Sequence, residues 1–264
     1  MKKRSFLIFL LTFIIFFSYS VPVLSVADTT ELNWYYVPKD NHEIPEGAKD
    51  SVNFLKNYDA YYLGDTTSKV LYLTFDEGYE NGNTPAILDI LKELKIPAAF
   101  FVVKPYIDSQ PDIIKRMVKE GHLVCNHSNT HPSMASIINE EKFNSEFSTT
   151  EDAFKKLTGK DMPKFFRPPM GKYSQYSLEK TQALGYKTIF WSFAYRDWLI
   201  DDQPDESYAI EKIESSVHPG GILLLHAVSD TNTKVLKQVL SDLQKDGYKF
   251  KSLNDLPTEE KEKK

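Results

Sequence analysis

The sequence predicts an α/β fold of parallel strands alternating with helices, closed or nearly closed into a barrel. Two observations predict it. From residue 70 onward, apolar runs of strand length alternate with segments of helical period, giving seven strands and six helices. Such alternation implies right-handed crossovers and therefore parallel strands. No Gly-rich phosphate loop follows the first strand, so a nucleotide-binding layered sheet lacks its usual signature. An open parallel sheet is the second expectation.

The chain begins with Lys2, Lys3 and Arg4, then an apolar run from Phe6 to Phe17 broken only by Thr12, then Ser25-Val26-Ala27. This is the form of a secretory signal peptide over residues 1–27, cleaved after Ala27. An uncleaved membrane anchor is the alternative, although the apolar run is short for a span of ~20 residues. Removing 27 of the 264 residues leaves 237, enough for one sizeable domain. It also removes three basic residues and no acidic one, taking the net charge from −5 to −8. An acidic exported chain is a poor partner for nucleic-acid phosphates. Cys125 is the only cysteine, so no intrachain disulfide staples the fold, and a buried strand position is expected for it.

Residues 28–68 have no clean period. Trp34 to Val37 and Tyr58 to Leu63 are apolar clumps separated by turn formers, with a short helical stretch expected over Ala48 to Leu55. They are expected to form an irregular N-terminal arm packed on the main domain of residues 69–252. Strand one runs from Val70 and stops at Asp76-Glu77-Gly78. Thr84-Pro85 opens a helix, with Thr as cap and Ile87, Leu88, Leu91 and Leu94 on one face. Ala98 to Val103 is a strand, and Pro111 opens a helix closed by Gly121. His122 to Asn126 is a strand, Asn139 to Leu157 a helix, and Phe165-Phe166 a short strand cut off by Pro168-Pro169. Ser177 to Leu184 is a helix, Lys187 to Phe193 a strand, Ser207 to Val217 a helix and Gly221 to Leu225 a strand. Thr231 to Lys245 is an amphipathic helix ended by Gly247, and Tyr248 to Phe250 a last strand. Residues 253–264 end as a charged tail.

Ionisable groups collect at the C-terminal ends of five of these strands: Asp76 and Glu77, His127 with His131, Arg167, Asp197, and His226. A barrel brings those ends onto one face. Singly, each has an ordinary reading. Asp76-Glu77 suits a solvated turn, Arg167 a salt bridge, Asp197 a turn before Trp198, and His226 a core histidine. Five together point to a site. Pro132 disfavours helix at His131, so the two histidines sit on a turn leaving the strand. With an adjacent carboxylate they would suit one divalent metal ion, zinc first, with cobalt, manganese or nickel also fitting. Asp76 and His226 are then available as base and acid, Arg167 to hold Asp76 ionised, and Asp197 to orient His226 and keep it protonated.

The order Thr74-Phe75-Asp76-Glu77-Gly78, His127-Ser128-Asn129-Thr130-His131-Pro132, Arg167-Pro168-Pro169, Asp197-Trp198 and Leu224-Leu225-His226 resembles the polysaccharide deacetylases with a NodB-homology domain. The resemblance covers roughly residues 69–252. It implies a distorted (β/α) barrel and metal-dependent hydrolysis of an acetyl group on a sugar polymer. It also implies Asp76 as base, His127 and His131 as metal ligands, Arg167 holding the base, His226 as acid and Asp197 tuning that acid. The backbone N–H of Met170 falls where the family places an oxyanion donor. Pro168 and Trp198 are expected to touch substrate. Glu77 stands where the family usually has a second Asp that ligates the metal; one methylene longer, it is a candidate third ligand that reaches the ion with a backbone shift or else swings away from it.

Asn33-Trp34, the Asn57 to Gly64 stretch, Asp76 to Gly82 and Trp191 to Ala194 are similar to one branch, the δ-lactam-forming peptidoglycan N-acetylmuramic acid deacetylases of spore-forming bacteria. That branch implies peptidoglycan glycan strands as partner, no protein partner, a monomer and a role in the spore cortex. N-acetylglucosamine in peptidoglycan or chitin, or acetylxylan, is the alternative substrate. A glycan-binding module with a decayed metal site is the non-enzymatic alternative.

Overall fold

β5, at Val70–Glu77, is the centre of the sheet, and its composition explains why. All of its residues but Asp76 are buried, as expected of a strand covered on both faces. Val70 and Tyr72 point into the barrel, where they pack with Ala99, Phe101, Cys125, Phe165, Ile189 and Ile222. Leu71, Leu73 and Phe75 point outward and pack under the surrounding helices. The two faces are therefore two separate clusters, divided by the period-2 alternation of a strand.

The computed structural model describes residues 27–39 and 41–257. The apolar leader before Ala27 and the end of the charged tail lie outside the described residues. The arm contributes β1 (Leu32–Asn33), β2 (Tyr36–Val37), β3 (Glu46–Gly47) and β4 (Ala60–Tyr61). The barrel follows as β5, α1 (Thr84–Leu94), β6 (Ala98–Val102), α2 (Lys104–Ser109), α3 (Pro111–Lys119), β7 (Leu123–Asn126), α4 (Glu140–Thr158) and β8 (Phe165–Phe166). It continues with β9 (Lys172–Tyr173), α5 (Gln175–Ala183), β10 (Lys187–Ile189), α6 (Glu206–Ser216), β11 (Gly221–His226), α7 (Asp230–Lys245) and β12 (Lys249–Phe250).

The expected parallel strands are present in the order β11-β5-β6-β7-β8-β10, with β12 also paired to β5. All of these pairings are parallel. The sheet curls until its ends meet. Beyond β10 the chain leaves regular structure but returns to touch β11 through a bridge between Phe193 and Leu223. The expected strand to Phe193 is thus only three residues of β10 followed by an irregular closure.

The arm does more than lie on the barrel. β4 adds to the sheet parallel to β10, with Ala60 opposite Thr188 and Tyr61 opposite Ile189. Leu63 then bridges to Gly221, and the Gly64 N–H donates to the Gly220 carbonyl at 2.8 Å. The seam of the barrel is closed by this segment. A Cβ on Gly64 would lie 2.0 Å from the Tyr72 ring, so the close approach requires glycine. Trp34 and Phe190 stack with centroids 4.6 Å apart, fastening the start of the arm beside the same seam.

Local signals were displaced in several places. α1 begins at Thr84 itself, not after it; the Glu80 carboxylate accepts from the Thr84 N–H at 3.2 Å and supplies the cap. The stretch over residues 48–55 is a series of turns ending in a 3₁₀ turn at Leu55–Tyr58, because its few apolar residues do not complete a helical face. α2 is short and has no amphipathic repeat long enough to read from sequence. α5 starts at Gln175, set by a reciprocal cap in which the Ser174 and Ser177 side chains bond each other's backbone.

Candidate active site

The rim at the C-terminal ends of the strands collects the residues singled out above. Inward alternation puts Asp76 on β5 beside its register partner His226 on β11. The same alternation on β7 turns Cys125 into the core and brings His127, two residues on, to the rim. On β8 it turns Phe165 inward, and Arg167 follows on that side.

Arg167 is fully buried and fixed by four hydrogen bonds. Its Nη1 donates to Asp76 Oδ1 at 2.7 Å and its Nη2 to Thr74 Oγ1 at 2.9 Å. Nε donates to the Ile189 carbonyl at 3.1 Å, Nη2 reaches the Phe190 carbonyl at 3.5 Å, and the guanidinium lies 4.2 Å from the Phe101 ring centroid. Burial pushes the Asp76 carboxyl up, but the Arg167 charge, then His127 and His226, more than offset it and hold it below the ordinary carboxylate range. Asp76 is therefore a carboxylate at neutral pH. Its second oxygen, Oδ2, lies 3.6 Å from His127 Nε2.

His127 is buried, and its Nδ1 pairs with the Arg167 carbonyl at 2.8 Å. Because a carbonyl only accepts, Nδ1 carries the proton and Nε2 keeps its lone pair facing the rim. Burial is the main reason its pKa falls to about 4, so the ring is neutral. The His131 ring lies edge-on at 4.9 Å between centroids, and burial also lowers its pKa. The turn between them is built tightly. Ser128 and His131 both have positive φ, 75° and 58°. The Ser128 hydroxyl accepts from the His131 N–H at 2.9 Å. Glu146, buried on α4, accepts from the N–H groups of Asn129 and Thr130 and from the Thr130 hydroxyl. Asn126 Oδ1 accepts from the Ser128 N–H at 2.8 Å.

Across the rim, Asp197 is fully buried and its Oδ1 accepts from His226 Nδ1 at 2.7 Å. Burial works against charge on His226, but the Asp197 carboxylate outweighs it and raises the pKa above the ordinary imidazole value. Trp198 is 48 % exposed, and its ring meets His226 edge-on at 5.7 Å. Met170 adopts a left-handed backbone (φ 59°, ψ 10°) in the turn after Pro169. Trp191 packs with the arm cluster.

Two expectations are corrected. Glu77 does not join the metal ligands. β5 continues through it, so Glu77 takes the face of Leu71, Leu73 and Phe75, opposite to Asp76. It is fully buried behind the rim, its Oε1 3.5 Å from the Thr84 hydroxyl and its Oε2 without a partner. Burial, then the nearby charges of Glu80 and Asp76, raise its pKa well above the usual value and favour its neutral form. Pro168 is also buried, and its place is structural, in the turn leaving β8. Among the described residues no three His, Cys, Asp or Glu side chains form a metal-holding group. What fits a divalent ion is the pair of neutral imidazoles, His127 and His131, with rings 4.9 Å apart.

Sequence reasoning missed the residues that hold these groups: Thr74 under Arg167, Glu146 under the histidine turn, and Asn232 on Asp197. Only Thr74 carried a signal, as a polar residue inside the apolar run of strand one.

Residues 63–189 match the family model described as polysaccharide deacetylase. The chain is 42 % identical over 225 residues to the peptidoglycan-N-acetylmuramic acid deacetylase PdaA of Bacillus subtilis (strain 168), covering 85 % of each protein. It is 32 % identical over 208 residues to a chitooligosaccharide deacetylase of Bradyrhizobium, covering 73 % of this chain and 93 % of that one. The solved structure of Bacillus subtilis PdaA, a family 4 carbohydrate esterase, matches with a TM-score of 0.85 at 41 % identity, over 90 % of this chain and all of that one. A family 4 carbohydrate esterase structure from Bacillus anthracis matches with a TM-score of 0.74 at 40 % identity, over 88 % of this chain and 98 % of that one. Fold, rim and relatives agree: the chain belongs to the polysaccharide deacetylase family and is a deacetylase.

Proposed function

We propose that the chain removes the N-acetyl group from N-acetylmuramic acid in peptidoglycan, as an exported enzyme whose product closes to the muramic δ-lactam of the spore cortex. The observation that carries the chemistry is the pairing of Asp76 with His226 on adjacent strands, each held by its own buried partner. Support for the muramic substrate comes from the PdaA of Bacillus subtilis, named for that activity, and from an alignment that includes the arm. Support for export is the leader-like run over residues 1–27.

The residues act in sequence. Asp76, ionised by Arg167, takes a proton from the attacking water, whose oxygen bonds to the acetyl carbon. The Met170 N–H would hold the carbonyl oxygen as it gains charge. His226, charged through Asp197, gives its proton to the amide nitrogen as the C–N bond breaks, leaving acetate and a free amine. His127 and His131 would hold a divalent ion, which when bound supplies polarisation of the acetyl carbonyl and an acidified water. Trp198, exposed beside His226, offers an apolar face for the sugar ring. Every residue named in these steps belongs to one chain, which supports action as a monomer.

The test is incubation with peptide-free wall glycan, with and without added zinc and with chelator, followed by mass spectrometry of muramidase fragments. Acetyl loss confined to muramic residues and abolished by chelator supports the proposal. Loss confined to glucosamine residues would replace the substrate.

A further inference from the structure

Behind the acid lies a chain of buried groups that the deacetylation steps above do not use. Asp197 Oδ2, the oxygen turned away from the imidazole, accepts from the His226 backbone N–H at 2.8 Å and from Asn232 Nδ2 at 2.6 Å. The same Asn232 Nδ2 reaches the His226 carbonyl at 3.3 Å. The Tyr195 hydroxyl bonds Asn232 Oδ1. Asn232 is fully buried, and Tyr195 nearly so.

The chemistry of the partners fixes every orientation. A carboxylate and a carbonyl only accept, so the Asn232 amide must present its NH₂ to both. Its oxygen then faces Tyr195, whose hydroxyl must donate. Burial also raises the Tyr195 pKa, keeping that proton in place. Donation runs one way, from Tyr195 through Asn232 to Asp197, and meets the donation from His226 on the other oxygen. The three donors leave Asp197 no freedom to rotate its Oδ1 away from the imidazole.

The two residues arrive by different routes. Tyr195 lies on the rim segment after β10, two residues before Asp197. Asn232 lies in the first turn of α7. Its backbone N–H satisfies the Ser229 cap at 3.0 Å, so the side chain is not needed for capping. A buried amide with all its polar atoms engaged on one carboxylate and its neighbours is costly unless its position is used.

We infer that Asn232 and Tyr195 are positioning residues for the acid: they lock Asp197 in the plane that holds His226 charged and aimed at the leaving nitrogen. Neither touches substrate. The inference rests on His226 being the acid of the proposed reaction. His226 is faced by Asp197, Asp76, Arg167 and His131, and Trp198 packs on its edge. Releasing Asp197 weakens the carboxylate that raises the imidazole pKa, so that pKa falls. Because the acid works protonated, activity is then lost at a lower pH.

The test compares Asn232→Ala, Tyr195→Phe, His226→Ala and the unaltered enzyme, all metal-loaded, on peptide-free wall glycan across pH, with thermal midpoints measured alongside. For Asn232→Ala, kcat/KM is expected to fall about 10-fold to 100-fold, the range of one hydrogen bond to a charged group. The loss should lie in kcat with KM within about twofold, and the alkaline limb should move to lower pH. Tyr195→Phe, which removes one hydroxyl, should move the limb the same way by less, and it carries the test if Asn232→Ala does not fold. Profiles that overlay the unaltered enzyme while only the thermal midpoint falls would overturn the inference and leave the two residues structural. If His226→Ala retains the full rate, the acid assignment fails and the inference with it. If His226→Ala is inactive while both other variants keep the normal profile, only the inference fails.

Discussion

Replacing Glu77 with glutamine tests the sharpest disagreement between sequence and structure. The substitution keeps shape and removes the titrating proton. In the fold Glu77 is fully buried, Oε2 has no partner, and the neighbouring acids are Glu80 and Asp76. Its folded pKa therefore lies above the ordinary carboxyl value of 4.5. The native state holds a proton that the unfolded state releases once pH passes that value, so stability is full below it and falls as pH rises toward the folded pKa. Glutamine has no such loss. The gain at high pH is the cost of keeping Glu77 protonated in the fold, and about 1 kcal/mol moves the thermal midpoint of a domain this size by about 2–4 °C. Glu77→Gln should therefore melt higher than the unaltered protein at pH ~8 and close to it at pH ~5. Scanning calorimetry at both pH values measures this, and a calorimetric zinc titration should give an unchanged affinity. A variant that melts lower at the higher pH, or that no longer binds zinc, would refute the outward placement and return Glu77 to the metal.

Three further outcomes are expected. The kcat/KM profile should be bell-shaped, its acid limb below the ordinary Asp value of 3.8 because Asp76 works deprotonated with a lowered pKa, and its alkaline limb above 6.5 because His226 works protonated with a raised one; a pH-rate series locates both limbs. Arg167→Met should strand the buried Asp76 charge and cost about 3–5 kcal/mol, read from urea unfolding. Glu146→Gln should loosen the histidine turn and weaken metal affinity about 10-fold to 100-fold, read by competition with a chromogenic chelator, with little change in fold.

Each wrong expectation traces to a specific physical cause. Glu77 is placed at the metal only by the family's second Asp, but on this strand neighbours face opposite ways, and β5 runs one residue past the acid that matters. The alternating Leu71, Leu73 and Phe75 already marked the outward face. Pro168, expected to touch substrate, is instead buried in the turn that releases β8. α2 escaped notice because it is too short to show a period, and the strand expected over Lys187 to Phe193 is regular only over its first three residues.

By itself the sequence determined the strand-helix alternation, the parallel barrel, and the residue types at five strand ends, because periodicity and end position are local properties that a single chain displays. Only the tertiary structure decided which side chains meet. It paired Asp76 with His226 across β5 and β11, closed the seam with β4 from the arm, and placed Glu146 and Asn232, far along the chain, under the histidine turn and Asp197. Those contacts depend on sheet curl and strand register, which arise from all the strands together and are written in no one segment.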